Sequence, residues 1–364
     1  MGPRSAERRR RTALRVLSLV GLPAVAVAAA VLRPPAQLVE RSYTNGVYPH
    51  IQALLTSLTN RIPFAWLDLL AVIVLLATLA RLVVTWRSRT GLAAWTVGRI
   101  GAALRLAATV YLAFLGAWGC NYQRLPARVR FGVEPARITP ARLHAFTDRA
   151  VREVNDLFVS RRVATLDWGT VQSSLLPGFN RAVRETGTRW TVVPGRPKSG
   201  LIPRTLPWAA VDGLVNPFGL EVLVNPEVLP FERHFVLAHE WAHLAGHADE
   251  SDASLVGFLA CLAGPPEARY SGWLALLLHA ARGLPGPERS GVLNRLGEGP
   301  RRDVEAIRSR LRHARPRVYA LSWRVYDQYL KANGVEAGIA SYDEVIQLVL
   351  GADLTSPLAG PSIR

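Results

Sequence analysis

The 364-residue chain is short of cysteine and of acid. Its two cysteines, Cys120 and Cys261, are too few for a disulfide framework or a cysteine-ligated zinc site. Both lie in or beside apolar runs and read as buried thiols, so cysteine usage gives no redox compartment. Only 27 Asp and Glu stand against 44 Lys and Arg, for a net charge of +17. Such a balance can suit nucleic acid, but no module of interleaved aromatic and basic residues accompanies it. The excess is concentrated in residues 1–120, with 14 Lys and Arg against 3 Asp and Glu. There it borders apolar segments, so the expected partner is a lipid bilayer and not nucleic acid. No internal repeat is evident.

Three long apolar stretches are present: Leu14–Leu32, Phe64–Val84 and, approximately, Ile100–Gly119. Each approaches the ~20 residues with which a helix crosses a ~30 Å hydrocarbon core. Three transmembrane helices (about 14–32, 64–84 and 100–119) are therefore expected within a membrane region, 1–120, ahead of a domain at 121–364. The first stretch follows a basic segment, Arg4 and Arg8–Arg11, and could be a cleaved leader. Its length and the further spans favour an uncleaved helix. The N-terminus and the loop between the second and third spans are rich in Arg, whereas residues 33–63 carry only Arg33, Arg41 and Arg61. The positive-inside rule then puts the N-terminus in the cytoplasm and the C-terminal domain outside the cytoplasmic membrane.

Beyond Asn121 the pattern is that of an α+β domain, mainly helical with a small sheet. Thr139-Pro140 is a helix start, with an apolar stripe at Phe146, Ala150, Val151, Val154 and Phe158. Short strands are expected at Trp190–Val193 and Gly219–Asn225. Helices are expected at Phe231–Ala245, ended by Gly246, at Ala253–Ala263, and at Ser271–Ala281, which is too short to span and reads as buried. Arg301–Ala314 is charged on several faces and reads as solvated. Arg317–Ala332 is helical by spacing, and Ser341 to Glu344 form a capping box before a last apolar helix.

The chemistry is concentrated in "RHFVLAHEWAHLAGHADESDASL", Arg233–Leu255. His239-Glu240-x-x-His243 is an H-E-x-x-H pattern. On a helix, positions i and i+4 lie ~40° apart, so the two imidazoles can grip one zinc ion. Glu240, the next residue along, then reaches water at the metal and can act as general base. A third ligand is needed, and His247, Asp249, Glu250 and Asp252 all follow. Asp249 fits the spacing of the metzincins, with Asp for their final His. Glu250 fits a plan in which a second helix returns a Glu to the metal, as in the gluzincins. Asp249 can equally cap that second helix, with Glu250 and Asp252 in its first turn.

The segment "HEWAHLAGHADESDAS" resembles the bacterial membrane proteins grouped as domain of unknown function 3810, whose pattern is similar to H-E-x-A-H-x-x-G-F-A-R-E-D-E-A-N. "NPFGLEVLVNPEVLPF", "GCNYQRLP" and "VYDQYLKANGVEAGIASYDEVIQLVLGA" also look like segments of that family. The resemblance places the family's first Glu on Glu250, its second acid on Asp252 and its Asn on Ser254. Asp249 falls where the family has Arg. A similar E-x-x-A-D segment occurs in membrane peptidases of the HtpX type, where the Glu binds zinc. The resemblance thus implies a zincin-like domain with His239, His243 and Glu250 as zinc ligands. Glu221 falls on a Glu of the family's P-F-x-G-E-A-N-V-N segment, and its strand, Gly219–Asn225, could pair with substrate backbone. Tyr329 and Tyr342 could each donate to an oxyanion, but no spacing places either near the metal. The expectation is a membrane-anchored zinc metallopeptidase acting on a protein or peptide at the cell envelope. The alternative is a non-catalytic envelope protein that keeps the zinc site for structure or binding.

Overall fold

The computed structural model describes residues 21–87, 92–161, 167–333, 335 and 344–352. Among the described residues two helices are long and apolar enough to cross a membrane: α3 (Trp66–Arg87), through Trp66–Val84, and α4 (Leu92–Ala117), through Arg99–Ala117. The first expected span differs. Residues 14–20 lie outside the described residues. From Gly21 to Val31 the chain is helical (α1), then bends by 107° into an arm, Ala36–Asn60 (α2). Pro34 and Pro35 explain the break, since proline has no N–H to give and its ring crowds the preceding turn. Three straight spans are thus replaced by two, or three if the bent pair counts as one.

The rest is mainly helical with one three-stranded sheet. Thr139 caps α5 (Pro140–Ser160), accepting from the Arg142 amide at 3.2 Å, and its stripe is buried at Phe146, Ala150, Val151 and Val154 and half-buried at Phe158. Helix α6 (Trp168–Glu185) was not anticipated, because Pro177 interrupts its pattern; Asp167 caps it with bonds from the Gly169 and Thr170 amides. The sheet holds β1 (Pro197–Lys198), β2 (Gly213–Asn216) and β3 (Glu221–Val224) in the order β1-β3-β2. β2 and β3 are antiparallel; β1 and β3 are parallel. Two strand expectations are corrected. Trp190–Val193 is irregular chain with Val192 buried. β3 is the central strand, paired on both sides, so it has no edge to offer a substrate; of its two neighbours, β2 is the longer edge strand.

Helices α7 (Arg233–Leu244), α8 (Glu250–Leu262), α9 (Pro266–Arg282), α10 (Gly286–Asn294), α11 (Glu298–Leu311), α12 (Pro316–Ala332) and α13 (Val345–Gly351) complete the order. Ser341–Asp343, the start of the expected capping box, lie outside the described residues, and so does Tyr342. Helix α9 contains the expected buried stretch, with Trp273, Leu274, Leu276 and Leu277 inside. Helix α11 is not solvated all round. Val304 and Ile307 form a buried stripe, and Arg310 is drawn in between Asp212 (2.6 Å) and Glu232 (2.7 Å). Desolvation outweighs that guanidinium at Glu232, whose carboxyl is pushed up to about 7, with Asp212 adding repulsion.

Two apolar clusters form the core, and α7 is central to one of them. Trp241, Phe179, Val222 and Leu237 meet there, and Tyr48 of the arm packs with them. The packing therefore runs across the boundary expected at residue 120. Glu221 makes the junction explicit. Its buried carboxylate accepts from the Trp66 and Leu67 amides at 2.8 and 2.7 Å, capping the start of α3. It also accepts from Lys198 Nζ and Asn216 Nδ2, each at 3.0 Å.

Inside the domain, His234 at the start of α7 gives a pH test. Burial lowers its pKa to about 4, and Nε2 lies 3.0 Å from Ser174 Oγ. Its folded pKa lies below the ordinary 6.5, so the unfolded chain binds the extra proton between these values. Stability is full above 6.5 and is lost as pH falls toward 4, by about 3 kcal/mol for this group. The thermal midpoint of detergent-solubilised protein should fall across that window, less steeply in His234→Asn. Parallel curves for the two proteins would contradict the assignment.

Candidate metal centre

Helix α7 follows from its sequence. Pro230 opens a single turn before it, and its last turn closes at Ala245 and Gly246, the latter at φ +84°. That left-handed turn lets the chain double back into α8. Gly257 brings the helices together: a Cβ there would stand 3.1 Å from the His239 backbone nitrogen. The close crossing carries the first turn of α8 onto the imidazoles of α7.

Three side chains converge. Nitrogen and oxygen ligand atoms of His239, His243 and Glu250 all lie within 4.8 Å of one another. Glu250 Oε2 is 3.1 Å from His239 Nε2 and 3.5 Å from His243 Nε2, and the two Nε2 atoms are 3.1 Å apart. His243 Nδ1 donates to the His247 carbonyl at 2.7 Å, which turns Nε2 toward the cluster. His239 Nδ1 meets Ser254 Oγ at 3.2 Å, so the serine at the family's Asn position supports the imidazole. Trp118, just past the end of α4, donates from Nε1 to the His243 carbonyl at 3.1 Å.

The electrostatics suit a cation. Burial opposes the charged form of Glu250, but both histidines hold its carboxyl well below the usual range. Burial likewise opposes a charged His243, yet Glu250 and Glu240 raise it to about 9. Burial lowers His239, with the hydrogen bond to Glu250 opposing. A divalent cation among these atoms would take the place of the shared protons and release them.

The other candidates are occupied elsewhere. Asp249 caps α8, accepting from the Ser251 amide at 2.9 Å and from the Ser251 hydroxyl. Asp252 pairs with Arg130 and lies 3.0 Å from His247 Nδ1. His247 is buried, and desolvation lowers its pKa to about 4. Two residues escaped the sequence. Tyr326 of α12 donates its hydroxyl to Glu250 Oε1, and Gly213 of β2 faces Glu240, where a Cβ would meet Oε1 at 2.6 Å. Tyr329 instead stacks on Tyr326, with ring centroids 5.8 Å apart.

Glu240 is buried beside the cluster. Its Oε2 has no hydrogen-bond partner among the described residues, and burial pushes its carboxyl up to about 8. It lines a cavity of about 930 Å³ together with Gly213 of β2, His239, and Tyr319 and Trp323 of α12.

Together these features define a mainly helical protein with two helices long and apolar enough to cross a membrane and a two-histidine, one-glutamate cluster at the wall of a cleft. The chain belongs to the family described as protein of unknown function (DUF3810), whose model matches residues 43–350. No curated protein and no solved structure matches it.

Proposed function

We propose that the protein is a membrane-anchored, zinc-dependent peptidase of the H-E-x-x-H type with a zincin-like domain. His239, His243 and Glu250 hold Zn2+. Zinc there supplies Lewis acidity toward a peptide carbonyl and makes nearby water easier to deprotonate. Glu240 Oε2 takes a proton from that water as its oxygen adds to the carbonyl carbon, and gives it to the amine as the C–N bond breaks. Ser254 and the His247 carbonyl orient the imidazoles, and Tyr326 orients Glu250. The outer edge of β2, unpaired among the described residues, flanks Glu240 and can pair with an extended substrate chain.

The observation that carries this reading is the buried, unpartnered Oε2 of Glu240 beside the converged cluster. A buried carboxylate oxygen left without a partner is costly, and a purely structural metal site has no use for one. The substrate is a protein or peptide at the cell envelope. The arginine-rich loop between α3 and α4 supports a cytoplasmic loop and an extracytoplasmic domain, and a cytoplasmic N-terminus goes with it where the first apolar stretch also crosses.

The test is hydrolysis of unfolded protein by full-length protein in detergent, with and without a chelator. Activity should vanish with chelation and return with zinc. Zinc bound without hydrolysis would favour the non-catalytic alternative. Gly213→Val separates the parts further. Its side chain presses on the movable end of Glu240 and not on backbone. Zinc content should be unchanged while the rate drops by about 10²-fold, the scale of a 1 Å misplacement. An unchanged rate would remove β2 from the site.

A further inference from the structure

The arm α2 packs Ile51 and Leu55 on the core, yet the rest of the face it buries is largely polar and the residues it leaves outermost are largely apolar. Against the domain it buries Tyr48, Gln52, Thr56 and Thr59, and each is bonded there. Tyr48 donates to the Leu244 carbonyl (2.9 Å), Gln52 to Val193 (2.8 Å), Thr56 to Leu220 (2.8 Å) and Thr59 to Gly219 (3.1 Å). Outward it shows Val47, Leu54 and Leu58, which are 54, 60 and 47% exposed. Steps of seven and four residues put these three on one stripe. A helix lying against water keeps its apolar stripe inward. The reverse arrangement suits an outer solvent that is hydrocarbon.

The arm's position supplies the second argument. Near its start, Tyr43 donates to the Gly116 carbonyl at 3.0 Å, beside the last residue of the span in α4. At its end, Lys198 Nζ bonds both the Thr59 carbonyl (2.6 Å) and Glu221 (3.0 Å), and Glu221 caps the first residues of the span in α3. The arm thus runs from the domain-side end of one span to the domain-side end of the other. Those ends mark one membrane boundary, so the arm lies along it.

We propose that α2 is an in-plane membrane helix. Val47, Leu54 and Leu58 sit ~5–10 Å into the headgroup and acyl boundary, and the polar face carries the sheet and the end of α7. Phe64, exposed on the link to α3, continues the apolar surface. His50, exposed at the margin of the stripe, can reach the headgroups. The domain is therefore seated on the bilayer through the arm and not merely tethered by the spans.

The test uses full-length protein in phosphatidylcholine vesicles, in a Cys120→Ala, Cys261→Ala background. Nitroxide labels are placed singly at Leu54→Cys, Leu58→Cys and Val159→Cys. Val159, 86% exposed on α5, reports water. Labels at 54 and 58 should respond to molecular oxygen, which concentrates in hydrocarbon, and lose the response to a water-soluble nickel chelate that the 159 label shows. A nickel response at 54 and 58 equal to that at 159 would overturn the proposal. Protection from both reagents would also overturn it, and would mean that a second copy of the chain covers the stripe.

Discussion

Glu240→Gln is expected to leave zinc bound and to abolish hydrolysis, lowering the rate by at least 10²–10⁴-fold, the usual share of a general base. The substitution keeps shape and volume but removes the group that accepts the proton. Glu240 is not among the three converging residues, so metal content should match wild type. Nor should folding suffer: the carboxyl is buried, carries no ion pair among the described residues, and is already pushed up to about 8 by its surroundings. A neutral amide is easier to bury than a charge. Zinc content and initial rates on one preparation make the comparison. A variant that hydrolyses at the wild-type rate would assign the base elsewhere.

The second large effect is on stability. Glu221→Ala removes a buried carboxylate that accepts four hydrogen bonds and leaves Lys198 buried with the Thr59 carbonyl alone. Breaking one side of a buried ion pair costs about 3–5 kcal/mol. For a domain of this size that is a fall of roughly 10 °C in thermal midpoint. The start of α3 also loses its cap. The paired change Lys198→Met with Glu221→Leu should recover part of the loss, since it removes the orphaned charge together with its partner. A Glu221→Ala protein that melts with wild type would show that the carboxylate does not hold the sheet to the span.

The site was legible where its geometry is local. His239, Glu240 and His243 share one helix, Gly246 marks its end, and the cap at Asp249 and the carboxylate of Glu250 that joins the cluster are adjacent in sequence. Spacing left those two open, because both belong to one turn; the cap hydrogen bonds to Ser251 and Asp252 separate them. Tyr326 was not legible, since it reaches Glu250 across 76 residues and the family-like segment that holds it carries no spacing that points to the metal. The sheet order misled for a similar reason. β3 is the most apolar strand because it is central, and burial, not substrate, explains its pattern. The arm offered no helix signal within residues 33–63 because much of the face it buries is polar and several residues it exposes are apolar. Arg310 read as solvated because the acids that draw it inward, Asp212 and Glu232, lie on distant segments.

The most direct test of the account is elemental analysis of purified full-length protein beside Glu250→Ala and Asp249→Ala. The account predicts about one zinc per chain in wild type, loss of zinc in Glu250→Ala, and zinc retained in Asp249→Ala at a cost of about 1 kcal/mol in stability from the lost cap. Wild-type protein without zinc, or zinc kept in Glu250→Ala and lost in Asp249→Ala, would contradict it.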